Sequence, residues 1–280
     1  MVITGATGRV GSVVRCRAEE RFRVRALSAG GESGTEALDL CSPGAADAVL
    51  SCSADLVINC AALSTGGACR ADPAGAFALN ALWPARLGDA CARRRVPLVH
   101  LSTDLVWSGA TPPYRETSPA VPLSLYGWTK LLGDVHLLRR YPEALVARTS
   151  VVFGPSPSKA STFSEAVLAG EVPAFFTDSW RNHTPVSWLA ETLLDLAERG
   201  ASGLFLVSAR WEQTRSAFAE ALLEHMGLDA PDLPLAYRPS GVPETLALRP
   251  QRLERVLGQT APDLRESLQL EYPQSPGDGD

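Results

Sequence analysis

Lysine is almost missing from this chain. Among its 26 basic residues only Lys130 and Lys159 are lysine. Where arginine serves everywhere else, a lysine marks a place where a compact, titratable ammonium can itself matter. Acidic residues outnumber basic ones only slightly, 31 to 26, for a formal net charge of -5. No global basic field draws the chain to nucleic acid or anionic membrane, and Arg93-Arg94-Arg95 reads as a solvated helix end. No apolar run approaches the roughly 18 residues that span a bilayer, and no basic-then-apolar leader precedes the first motif. The six cysteines fall in the first third, form no CxxC pair and have no histidine at zinc-like spacing. Most sit in apolar runs, where a free thiol packs as a small hydrophobe. These absences lead us to expect a reduced, cytoplasmic protein with no structural disulfide, no metal and no membrane anchor.

What remains is an ordinary globular composition, 45% apolar and 20% charged over 280 residues. That length buries a core as one domain or as one domain with a smaller lobe. Strand-like runs at 2–4, 22–27, 55–59, 97–101 and 144–149 alternate with helical patterns at 10–20, 45–51, 73–95 and 125–140. Such alternation implies right-handed crossovers and a doubly wound parallel α/β sheet of Rossmann type. After Gly154 the texture changes to a Pro/Ser-rich link and shorter elements. These include helices at 162–169, 186–199 and 215–226, a strand at 204–207, and a final helical stretch near 249–257 that precedes Pro262 and Leu264–Leu268. We expect a dinucleotide-binding domain over 1–154 and a substrate lobe over 155–272, partly interleaved with it. The Pro/Gly/Asp-rich tail 273–280 reads as disordered.

Gly5-Ala6-Thr7-Gly8-Arg9-Val10-Gly11 gives GxxGxxG between the first strand and the first helix. There the backbone must turn sharply and approach a pyrophosphate, and the helix N-terminus offers free N–H groups. No Gly-Lys-Ser/Thr follows, which excludes an ATP or GTP P-loop. At the end of the second strand, Leu27-Ser28-Ala29, no carboxylate stands for the adenosine ribose of NAD. Ser28 tolerates a 2′-phosphate and Arg9 or Arg25 can pair with it, so NADPH is favoured over NADH. Asp39-Leu40 is a candidate adenine contact, and small Cys60, Ala61 and Ala62 end a strand beside the cofactor.

Tyr126 and Lys130 stand four apart, one above the other on a helix face. A lysine near a tyrosine hydroxyl favours the phenolate, so the phenol can exchange a proton with a carbonyl oxygen. Ser102 or Thr103, at the end of a strand facing the cofactor, can orient the same carbonyl. With the glycine loop and the scarcity of lysine, this constellation points to carbonyl reduction.

The sequence resembles the extended short-chain dehydrogenase/reductase superfamily and, within it, the dTDP-4-dehydrorhamnose reductase-like branch. The resemblance spans nearly the whole chain: Gly5 to Gly11, Asn59 to Ala62, His100 to Asp104, Pro122 to Lys130 with Gly133, and Arg148-Thr149-Ser150 through Gly154. Thr184-Pro185-Val186 and Gly203-Leu204-Phe205 extend it into the second lobe. It implies a catalytic triad of Thr103, Tyr126 and Lys130, with Lys130 on the nicotinamide ribose. It also implies hydride transfer from NAD(P)H to a nucleotide-linked keto-sugar. Asp104 and His183 become candidate sugar or phosphate contacts.

Several positions depart from the branch. Leu63-Ser64-Thr65-Gly66 replaces a Tyr-Thr stretch, while Leu105 and Val151 stand where aromatics are usual. Ser12-Val13 replaces an acidic residue linked to a metal at a dimer contact, so magnesium is not expected. A substrate other than the rhamnose precursor is therefore expected, with Ser64, Leu105 and Val151 at its contacts and Trp107, Trp128 or Trp180 as replacement stacking surfaces. A homodimer remains open. The rival readings are an epimerase with retained NAD, a ketoreductase for a non-sugar natural product, and a non-catalytic regulatory subunit. Asp104 is followed by Leu105 rather than Glu, which argues against dehydration.

Overall fold

The structure is a computed structural model that describes all residues except 159, 173, 230–232 and 275–280. Lys159 and most of the expected disordered tail therefore lie outside the described residues. Six strands precede Ser150: β1 (Val2–Thr4), β2 (Arg25–Ser28), β3 (Glu36–Ala37), β4 (Val57–Asn59), β5 (Leu98–Thr103) and β6 (Leu145–Thr149). The strand Gly203–Leu206 joins β6 at the edge, giving a seven-stranded sheet with the order Gly203–Leu206, β6, β5, β4, β1, β2, β3. Every pairing in it is parallel. The order reverses between β1 and β4, and that switch point opens a crevice at the strands' carboxyl ends.

Both faces of the sheet are covered, which is why its strands read as continuous apolar runs. On one face Val13, Val14 and Ala18 of the first helix (Arg9–Glu19) meet Leu189 and Leu193 of the helix Val186–Glu198 over Ile3, Ile58 and Val99. On the other, Trp83, Leu87 and Cys91 pack with Leu137 over Val2, Val57 and Val146. Residues beyond 155 thus supply both an edge strand and a covering helix to the first sheet. The remainder forms a small lobe around Phe153, Phe175, Phe218 and Leu268, with Val151–Phe153 paired to His183–Pro185.

Most helices begin and end within one or two residues of the sequence expectation, and Leu125–Arg140 matches it at both ends. The stretch 73–95 is different. It divides into Pro73–Phe77, a π-helical turn Ala78–Leu82, and Trp83–Arg94. Pro84 has no N–H to give the Asn80 carbonyl, so the regular ladder cannot run through this point. The buried Asn80 side chain ties the turn to its surroundings, accepting from Leu63 N at 2.9 Å and donating to Thr129 Oγ1 at 3.1 Å. The helix Gly66–Ala71 and the two-residue strands of the small lobe were not anticipated, being too short to show a period.

Gly133 sits against that π turn, where a Cβ would lie 2.2 Å from the Asn80 carbonyl oxygen. Gly133→Ala is expected to lower stability by about 1–3 kcal/mol through overpacking. A urea titration read by circular dichroism checks this, and an unchanged midpoint would mean that the two helices can separate freely.

Candidate active site

The glycine loop is built by contacts between backbones. Gly5 holds a φ of +70°, and a Cβ on it would come 2.6 Å from Ala61 N. A Cβ on Gly11 would lie 2.1 Å from the Gly5 oxygen. Both glycines are required so that the loop can pass under the end of β4. Gly8 caps the first helix without a side-chain hydrogen bond, leaving the opening N–H groups for an anion. Arg9 reaches across to the second lobe, its Nε donating to Ser161 O at 2.7 Å.

A cleft of about 500 Å³ runs from this loop to the helix Leu125–Arg140. Gly8, Arg9, Val10, Gly11, Cys60, Ala62 and Ser64 line one end, and Thr103, Leu105, Tyr126, Lys130 and Val151 the other. An adjoining cavity of about 540 Å³ carries it on to Thr7, Arg15 and Glu32. Sequence-distant candidates thus meet at one crevice. Ala61 is buried beneath the loop, against Gly5.

The helix Leu125–Arg140 is placed closely. Ser124 caps it, accepting from Gly127 N at 3.1 Å, and Gly127 lies so near the loop after β5 that a Cβ would be 2.2 Å from Leu105 O. That approach brings Tyr126 to the end of β5, where Thr103 hydrogen-bonds its hydroxyl. Ser102 and Thr103 both line the cleft, but the Ser102 hydroxyl is spent on Asp134 Oδ2 at 2.9 Å. Burial raises the Tyr126 phenol well above its ordinary range, and the Thr103 hydrogen bond offsets only part of that. Lys130 is 1% exposed, and its amine turns to β5, donating to Leu101 O at 2.7 Å. Burial lowers the Lys130 pKa to about 8, with Asp134 and Cys60 opposing. The expected lowering of the Tyr126 pKa by Lys130 is therefore corrected: desolvation dominates, and the phenol holds its proton.

Other expectations are also corrected. Asp104 is fully buried, held by Arg181, whose Nε lies 2.8 Å from Oδ2, and by the Ser150 hydroxyl. Its oxygens are committed to the protein interior and do not line the cleft. His183 is likewise fully buried, its ring stacked 4.3 Å from Phe218, and burial lowers its pKa to about 3. Arg25 is drawn to Glu36, 2.9 Å away, and to backbone carbonyls, and it lines neither the cleft nor the adjoining cavity. Asp39 is exposed and turns to Cys41 N at 2.9 Å, while Leu40 packs into the core; neither lines the cleft. Of the tryptophans, Trp107 stacks in the interior on Tyr114 at 5.0 Å, and Trp128 and Trp180 are exposed away from the cleft.

The end of β2 also differs from expectation. A carboxylate does reach it: Glu32 returns through a glycine turn to accept from Ser28 Oγ at 3.2 Å and Thr7 Oγ1 at 3.3 Å. It lies four residues beyond Ser28, too far along the chain to be read as the strand-end acid. Arg15, one helical turn after Gly11, lines the same cavity and was equally missed. In the second lobe Arg215 lines the cleft with its guanidinium 5.1 Å from the Phe163 ring and 5.3 Å from Phe176. Nothing in its local spacing marks it out, because the fold alone brings residue 215 to the glycine loop.

Comparison with known proteins agrees with this geometry. Residues 1–271 match the family model described as the RmlD substrate binding domain. The dTDP-4-dehydrorhamnose reductase of Mycobacterium tuberculosis is 35% identical over 235 residues, covering 79% of this chain and 75% of that protein. A probable low-salt glycan biosynthesis reductase, Agl14 of Haloferax volcanii, is 32% identical over 226 residues, covering 76% and 75%. The crystal structure of the Bacillus anthracis dTDP-4-dehydrorhamnose reductase in complex with NADP superposes with a TM-score of 0.86. It covers 98% of this chain and 97% of that one at 20% identity, a likeness of fold.

The Asp104–Arg181 pair supports the floor of the cleft from below. Removing one partner of a buried ion pair costs about 3–5 kcal/mol because the other charge is stranded. Asp104→Ala is therefore expected to unfold at markedly lower urea, and a loss below about 1 kcal/mol would return Asp104 to the list of sugar contacts.

Proposed function

This chain belongs to the RmlD substrate binding domain family, and we propose that it reduces a ketone on a nucleotide-activated deoxysugar, a dTDP-linked 4-keto sugar. The observation that carries the reading is one cleft lined by the glycine loop, Thr103, Tyr126 and Lys130 together. Relatives named as reductases of this substrate class support it. NADPH is the proposed cofactor, with NADH as the alternative, since Glu32 shares the adenosine end with Arg9 and Arg15. When bound, the dihydronicotinamide supplies the hydride.

The chain's own residues do the rest. The free N–H groups at Gly8 to Gly11 hold the pyrophosphate, and Cys60 and Ala62 allow close approach. Lys130 holds the nicotinamide ribose. Tyr126, kept protonated by burial, gives its proton to the carbonyl oxygen while the Thr103 hydroxyl orients that oxygen. Ser64, Leu105 and Val151 contact the sugar. Arg215 holds the substrate's diphosphate: its positive charge meets rings at Phe163 and Phe176, and burial lowers its pKa only to about 10, so it remains cationic at neutral pH. In this reading residues 1–154 bind the dinucleotide and carry the catalytic groups, and 155–272 chiefly grip the substrate. A homodimer would bury exposed Leu125, Trp128 and Val135 along the outer face of the catalytic helix.

NADPH oxidation followed by absorbance with a panel of dTDP-4-keto-deoxysugars tests the reading. Tyr126→Phe should lose at least about 100-fold in kcat. Arg215→Ala should raise KM for the sugar nucleotide about 10-fold or more, with a smaller change in kcat, since it removes charge-assisted bonds to the diphosphate. No oxidation, with dinucleotide retained through purification, would replace reduction by epimerisation.

A further inference from the structure

Behind Lys130 lies a buried chain of hydrogen bonds in which each proton can be placed by elimination. The Trp83 indole N–H can only donate, and it meets Asn59 Oδ1 at 3.1 Å; Thr4 Oγ1 donates to the same oxygen at 2.6 Å. The Asn59 amide is thereby oriented, and its Nδ2 donates to His100 Nδ1 at 2.8 Å. His100 is fully buried, and burial lowers its pKa far below the ordinary range. The ring is neutral, and a neutral ring that accepts at Nδ1 carries its proton on Nε2.

That Nε2 lies 3.1 Å from Lys130 Nζ and 3.8 Å from Asp134 Oδ1. An N–H aimed at an ammonium sets two donors face to face. The conflict disappears when Lys130 is a free amine, donating to Leu101 O and taking the His100 Nε2–H on its lone pair. We propose that His100 is a positioning residue that, fixed as its Nε2–H tautomer by Asn59, donates to Lys130 and favours the neutral amine at the catalytic lysine. Resting on the reductase reading, this makes Lys130 a group that changes charge near working pH, beside the phenol that gives up the reaction's proton.

Of the remaining neighbours, Asp134 and Cys60 favour the ammonium, and burial outweighs them. Asp134, one turn along the same helix, spends Oδ2 on Arg148 Nε and Ser102 Oγ, each at 2.9 Å, while its buried Oδ1 has no hydrogen-bond partner. Cys60 approaches from the end of β4, and Tyr126 stands one turn earlier on the helix. The lowered Lys130 pKa follows from the same burial.

The scarcity of lysine makes the test direct. In Lys159→Arg protein labelled with nitrogen-15, Lys130 gives a single side-chain resonance whose titration NMR can follow. Its midpoint is expected more than one pH unit below the roughly 10.4 of free lysine. The His100 ring should show protonated Nε2 and bare Nδ1 in the same sample. Asn59→Asp should move that proton to Nδ1, present a lone pair to Lys130, and raise its midpoint by about one unit or more. A His100 ring protonated at Nδ1 before substitution, or a Lys130 midpoint near that of free lysine, would overturn the proposal; so would a folded Asn59→Asp protein that keeps the original tautomer. None of these readings needs turnover, so an inactive protein would count against the reductase reading alone.

Discussion

The helix Leu125–Arg140 touches its neighbours with bare backbone at Gly127 and Gly133, where a Cβ would come within 2.2 Å of the Leu105 and Asn80 carbonyl oxygens. Everything chemical in the cleft depends on that approach. It brings Tyr126 to Thr103 at the end of β5, and it sets Lys130 against the backbone of the same strand. The π turn at Asn80, forced where Pro84 interrupts the helical ladder, supplies the surface on which Gly133 rests. Side-chain hydrogen bonds from Asn80 to Leu63 and Thr129 then tie the loop after β4 to the same helix. A sequence feature more than 40 residues from Tyr126 and Lys130 thus helps to seat the helix that carries them.

Charge is arranged in two layers around this helix. Asp134 with Arg148, and Asp104 with Arg181, are ion pairs almost wholly removed from water. Such pairs add little net stability compared with well-packed apolar groups, but they penalise any arrangement that separates them. Asp104–Arg181 joins the end of β5 to the second lobe, and Asp134–Arg148 joins the catalytic helix to β6. Together they hold the floor of the cleft in one register. The groups left for chemistry are the ones these pairs do not consume: Thr103, Tyr126, Lys130 and Arg215 all line the cleft.

Apolar Leu105, Val151, Phe163 and Ala166 stand on the walls of that cleft. Polar groups line the same cleft, among them Ser64, Thr103, Thr149, Ser150 and Arg215. The altered residues Leu105 and Val151 were visible in the sequence; their meeting with Phe163 and Arg215 on one surface was not.

The sequence by itself determined the doubly wound sheet, since apolar strands alternating with amphipathic helices have few other ways to bury their faces. It also determined the GxxGxxG loop and the Tyr126–Lys130 pair, because both are encoded by spacing within one strand–helix unit. Only the tertiary structure decided which polar residues are free to act. Asp104 and His183 look reactive in sequence, yet one is neutralised by Arg181, 77 positions away, and the other is closed into an aromatic stack. Glu32 and Arg215 look like surface residues in sequence, yet chain reversals bring both to the cleft. The physical reason is that backbone periodicity is local, whereas desolvation and charge pairing depend on neighbours that only the folded chain assembles.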